Sequence, residues 1–186
     1  MSRLVIITVG KTHSGKTTFA KALEQQLQDA LVIDQDNHAE FINTYYQSLL
    51  PKQGPNRIKF AMTQTIVEYA IHQTGLHLIL CNSNRNRKDR LKLLSKFHNE
   101  EFISILVHFD LADDIIQARV ANSTRSTAIF RSASSFEEVL LRQQAESVND
   151  ADHTPQADEA NYLFVVKEPY DVQSVIQRIV AISRKE

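Results

Sequence analysis

Gly10-Lys11-Thr12-His13-Ser14-Gly15-Lys16-Thr17 sets a lysine and a threonine directly after the second of two glycines. Each fixed position has a physical reason. Glycine lets the backbone take positive φ, so that successive N–H groups turn inward around an anion. A helix that starts at the same point directs its partly positive end at that anion. The lysine then supplies a charge for β- and γ-phosphate oxygens, and the threonine hydroxyl a ligand for Mg²⁺. The pattern G-x-x-x-x-G-K-[ST] is met at every fixed position, which predicts binding of ATP with Mg²⁺. Its contacts would come from Gly10, Lys11, Thr12, His13, Ser14, Gly15, Lys16, Thr17 and Thr18. His13 stands at a variable position where the backbone does the work, so no role is assigned to its side chain.

A second constellation follows a short apolar run, in Ile33-Asp34-Gln35-Asp36-Asn37. Carboxylates at i and i+2 leave a strand end on the same side. Asp34 could orient a Mg²⁺-bound water, and Asp36 could accept a proton from a hydroxyl attacking the γ-phosphate. The bland alternative is a pair of solvated turn residues, with Asp36 capping the next helix. Arginines come third. Arg119 ends a helical stretch, and Arg125 and Arg131 lie in the polar segment 122–135. Guanidinium groups can stabilise the charge spread over a transferring phosphoryl group; three exposed surface arginines would look the same.

These groups need a scaffold. Leu4-Val5-Ile6-Ile7-Thr8-Val9 is an unbroken β-branched run, the mark of a strand buried on both faces. A helix is expected from Lys16 to Gln28, with Phe19, Ala20, Leu23 and Leu27 as its apolar stripe. Further strands are expected at 31–34, 77–81, 103–109 and 162–166, with helices near 37–50, 57–73, 86–98, 112–122, 135–149 and 171–184. Alternation of this kind implies an α/β fold with right-handed crossovers and a mostly parallel, doubly wound five-stranded sheet. The roughly 40 residues between the second and third strands exceed what one crossover needs. Residues 38–75 are therefore expected to form an acceptor-binding helical insertion in a single domain of 1–186, with 122–135 as a mobile lid. Residues 149–160 read as a polar, acidic surface loop.

Bulk properties narrow the field. The net charge of −1 lacks the basic excess of a typical nucleic-acid binder, and Cys81 is the single cysteine. No apolar run reaches the roughly 20 residues that span a bilayer. A cytoplasmic protein without a membrane partner is the expectation. Motor-type ATPases place a Mg²⁺-holding aspartate beside the loop strand, yet the third strand ends Leu80-Cys81-Asn82-Ser83.

The loop, the Asp-x-Asp after the second strand, the third strand without a carboxylate and the arginine-bearing segment together resemble the nucleoside-monophosphate-kinase-like small kinases. Gluconate, shikimate and adenylylsulfate kinases share that Asp-x-Asp pattern. Leu80-Cys81-Asn82-Ser83-Asn84-Arg85-Asn86-Arg87-Lys88-Asp89-Arg90-Leu91 is similar to the zeta-toxin and polynucleotide-kinase-like branch of AAA-type ATP-binding proteins. There an Asn-rich strand end precedes a helix whose arginine faces the acceptor. That branch carries Asp near position 81 or 82, where Cys81 and Asn82 stand here, and the departure puts more weight on Asp34. The resemblance implies a three-layer α/β/α sandwich around a five-stranded parallel sheet ordered 2-3-1-4-5. It also implies that Arg119 stacks near adenine or touches phosphate, and that Arg125 or Arg131 swings in on closure.

The expectation is a kinase moving the ATP γ-phosphoryl group to a hydroxyl or phosphate of a small acceptor. Two rivals stand beside it: a polynucleotide 5′-hydroxyl kinase, and an ATP-binding regulatory module without transfer activity. Arg57 and Arg90 are further candidates for an anionic acceptor, with exposed helix arginines as the plainer reading. His38, Tyr45 and Tyr46 either touch the acceptor or belong to the surface and packing of the insertion.

Overall fold

The computed structural model describes residues 2–130, 133–149 and 153–185. In chain order it contains β1 (Leu4–Gly10), α1 (Lys16–Gln26), β2 (Ala30–Asp34), α2 (Gln35–Tyr45) and α3 (Arg57–Gln73). There follow β3 (His77–Cys81), α4 (Arg87–Asn99), β4 (Ile103–Phe109), α5 (Asp113–Ala121), α6 (Phe136–Asn149), β5 (Tyr162–Val166) and α7 (Asp171–Ser183).

All seven residues of β1 are buried. Successive side chains leave opposite faces of a strand, and the core divides accordingly. Leu4 and Ile6 join Phe19 and Leu23 of α1, Ile116 of α5 and Ile176 of α7. Val5, Ile7 and Val9 join Val67 and Ile71 of α3 and Leu94 and Phe97 of α4. A continuous apolar run is thus what a central strand covered on both faces requires. The sheet is five-stranded in the order β2-β3-β1-β4-β5, and every pairing is parallel.

This order fixes where a ligand can sit. β1 and β3 are neighbours, yet the helix after β1 packs into one core cluster and the helix after β3 into the other. Connections that part in this way leave a crevice at the carboxyl ends of the two strands. The loop 11–15 opens there.

Between β2 and β3 the chain forms two helices with a 3-10 turn at Gln47–Leu49 between them. The helix expected over 37–50 starts at Gln35 instead, because the Asp34 carboxylate accepts from the Asp36 amide at 2.9 Å and caps it. Asp36 therefore lies within the first helical turn. The described part of the loop expected at 149–160 is a loop, though it is anchored by a buried charge. It holds Glu159, 5% exposed, which accepts from Arg90 Nε at 2.6 Å and Nη2 at 2.9 Å. Arg90 Nη1 donates to the carbonyls of Asn84 and Arg85. Glu159→Ala would strand a buried guanidinium, and chemical denaturation should read a loss of about 3–5 kcal/mol.

Candidate active site

β1 ends on Gly10, whose φ is 154°. A Cβ there would lie 2.9 Å from the Phe109 carbonyl oxygen, since Gly10 pairs with Phe109 across the β1–β4 ladder. No larger residue fits. Gly15, at φ 99°, is the N-cap of α1, so the loop runs straight into the helix amino terminus. Lys16 folds over this loop, donating to the Lys11 carbonyl and, at 3.2 Å, to Ser14 Oγ. Burial lowers its pKa to about 8, partly offset by the negative charges of Asp36 and Asp34. A lysine so poorly solvated gains from a neighbouring anion.

Thr17 Oγ1 donates to Asp34 Oδ2 at 3.2 Å, which joins the first turn of α1 to the end of β2. Cys81, level with Asp34 in the β2–β3 register, places its sulfur 3.5 Å from the same hydroxyl. Burial and the Asp34 charge raise the thiol pKa to about 11, so it stays protonated and is a poor ligand for a hard cation. Among the described residues no group of three or more His, Cys, Asp or Glu side chains is arranged to hold a metal ion. Two oxygens on Thr17 and Asp34 suit Mg²⁺, which keeps waters and substrate phosphates as its other ligands.

Asp36 Oδ2 meets Arg125 Nη2 at 2.6 Å, an ion pair between groups 89 residues apart. The same guanidinium stands 5.5 Å from the Phe136 ring centre. Other bonds tie segment 122–130 to its surroundings. His13 Nε2 lies 2.7 Å from Ser123 Oγ, and its ring meets Phe136 edge-on at 4.5 Å. Burial first, then the charges of Arg125 and Lys16, hold the His13 pKa below its ordinary value. Asn43 of α2 donates to the carbonyls of Ala128 at 2.7 Å and Phe130 at 3.2 Å. Arg119 donates to the His13 carbonyl at 3.2 Å, and Gln143 of α6 accepts from the Thr12 amide at 2.7 Å.

Of these groups His13, Asp36, Arg119, Arg125, Phe136 and Gln143 line one cleft of about 940 Å³. Its floor is the loop with Lys16, Thr17 and Thr18; Asp34, Asp36, Arg119 and Arg125 also line it. Leu111, Val166, Pro169 and Val172 give it an apolar wall, and Asn56, Lys59 and Phe60 line it from the start of α3. Arg131 lies outside the described residues. Arg90 is buried against Glu159, so it does not face an acceptor. Arg57, Tyr45 and Tyr46 are exposed and are not cleft residues. His38 is half-buried and 2.8 Å from Thr63 Oγ1, bracing α2 against α3.

Four contributors carried no sequence signal: the His13 ring, Asn43, Gln143 and Lys59. His13 occupies a variable loop position, and the other three sit on helices like any surface polar residue. Only folding singles them out, by the partners it brings to the first three and by the cleft it opens beside Lys59.

The sequence model of the AAA domain family matches residues 5–149. The chain belongs to this family. A search of curated proteins found no match. Among solved structures, this AAA domain is similar to Kti12 of Chaetomium thermophilum in complex with ADP-AlF3, at 16% identity and TM-score 0.62, covering 94% of this chain and 96% of that one. It is similar to shikimate kinase from Bacteroides thetaiotaomicron, at 15% identity and TM-score 0.57 over 97% and 98% of the chains. The Mycobacterium tuberculosis APS kinase in complex with AMPPNP and APS matches at 11% identity and TM-score 0.58 over 98% of both chains. At these identities the likeness concerns the fold, which is that of the P-loop kinases. No helix among the described residues is long and apolar enough to cross a membrane.

Proposed function

We propose that this protein transfers the γ-phosphoryl group of ATP to a hydroxyl or phosphate of a small acceptor. The observation that carries the reading is the convergence of Lys16, Thr17, Asp34, Asp36 and Arg125 on one cleft at the strand ends. At about 940 Å³ it lies near the top of the range for a single small ligand, which suits two substrates side by side.

In this reading the adenine rests against Leu111, Val166, Pro169 and Val172, with Arg119 beside it. The loop amides and Lys16 hold the β- and γ-phosphates. Thr17 and Asp34 would hold Mg²⁺, which when bound neutralises phosphate charge. Asp36 orients the acceptor hydroxyl and takes its proton. The acceptor oxygen bonds to the γ-phosphorus as the bond to the β-bridging oxygen breaks, and ADP leaves. Arg125 occupies Asp36 Oδ2 while paired with it. Its move onto the transferring phosphoryl group would free the carboxylate and stabilise the spread charge in one motion. Residues 38–75 would form the acceptor wall and 122–135 the lid, with Arg131 a second lid cation.

The test is a screen of small hydroxylated and phosphorylated compounds for acceptor-dependent ADP release. Turnover with at least one acceptor, lost in Lys16→Ala, supports the reading. ATP binding without turnover on any acceptor would favour the regulatory module.

A further inference from the structure

Where α3 borders the cleft it supplies a cation that the phosphate chemistry does not use. Asp34 is bound by Thr17 and by the Asp36 amide, and Asp36 is paired with Arg125. Lys59, one turn into α3, lines the same space beside Asn56 and Phe60. Its ammonium lies 4.8 Å from the Phe60 ring centre, and it has no ion-pair partner among the described residues. Burial lowers its pKa, opposed only by the charge of Asp36. A partly desolvated ammonium without a counter-ion is costly, and a ligand anion would relieve that cost. Lys16 and Arg119 border the loop itself, so the donor phosphates have cations of their own.

We infer that Lys59 is a specificity residue that binds an anionic group of the acceptor, so that the natural substrate is a small hydroxylated carboxylate or phosphate ester. Its hydroxyl would face Asp36 while its anion sits on Lys59. A neutral sugar or nucleoside would leave the ammonium unpaired and bind more weakly. This inference rests on the kinase reading of the cleft, but concerns a different residue and a different ligand. The competing possibility is a lysine whose stem packs on Phe60 while its head stays in water.

Calorimetric titration separates these. The protein is first saturated with Mg²⁺ and AMPPNP, then titrated with inorganic phosphate, and in parallel with glycerate and with glycerol. Phosphate and glycerate should bind, with glycerol weaker by about tenfold or more. In Lys59→Met the anion affinity should fall by about tenfold or more while AMPPNP binds as in the wild type; Lys59→Arg should retain the anion. The inference is overturned if the wild type binds neither anion, or if Lys59→Met binds both as tightly. Failure of the wild type to take AMPPNP in the first titration would instead defeat the kinase reading, and this inference with it.

Discussion

The floor and the outer wall of the cleft are built on different principles. The floor is one run of chain, Gly10–Thr17, held by backbone geometry, a strand pairing and a helix start. The wall is gathered from α2, α3 and segment 122–130, and depends on side-chain bonds such as Asp36–Arg125 and Asn43 to Ala128. On the proposed reading the floor grips phosphate and the wall meets the acceptor, so substitutions in the two regions should fail differently.

The largest contrast is expected at the floor. Lys16→Ala should weaken ATP binding and lower turnover together, by about 10³-fold or more in kcat/KM; unchanged ATP affinity in direct titration would detach Lys16 from the phosphates. Asp36→Asn should leave ATP affinity intact and reduce transfer by about 10²–10³-fold. Full activity in that variant would make the wall carboxylate structural.

The pH dependence of nucleotide affinity sharpens the same division. Burial lowers the Lys16 pKa to about 8, and a phosphate bound beside it would raise it again. Affinity should therefore be flat below pH 8 and fall above it, by up to about tenfold per pH unit, because the neutral amine must regain a proton to bind. A flat profile to pH 9.5 in nucleotide titrations would contradict this. The smallest effect is expected for Asn43→Ala. Two donated bonds are lost, but a buried Asn43 Oδ1 without a partner among the described residues is removed as well. The net should be about 1 kcal/mol, seen as a severalfold rise in acceptor KM at constant ATP KM.

The same contrast explains what the sequence discloses. The β1 run, the loop and the alternation of strands and helices are local signals, and they disclose the parallel α/β class; the order β2-β3-β1-β4-β5 matches what the family resemblance implies. The loop is legible because its groups are contiguous. Arg90 shows the opposite case. On sequence it is one more helix arginine near a strand end, a candidate for an acceptor; in the fold it is buried against Glu159, 69 residues on. Asp34 shows a subtler limit. The i, i+2 spacing put both carboxylates on one strand end, but Asp34 caps α2, so Asp36 leaves from a helix. Partners distant in sequence have no period or motif, and the wall consists of little else.

The most direct test of the account follows the γ-phosphorus itself. ATP labelled at that position is incubated with the protein, Mg²⁺ and a panel of small hydroxylated acids and phosphate esters, and the label is traced. The account predicts transfer to an organic acceptor in the wild type, with transfer abolished in Lys16→Ala and nearly so in Asp36→Asn. Label released only as inorganic phosphate, or retained on ATP with every acceptor although ATP is bound, would contradict it.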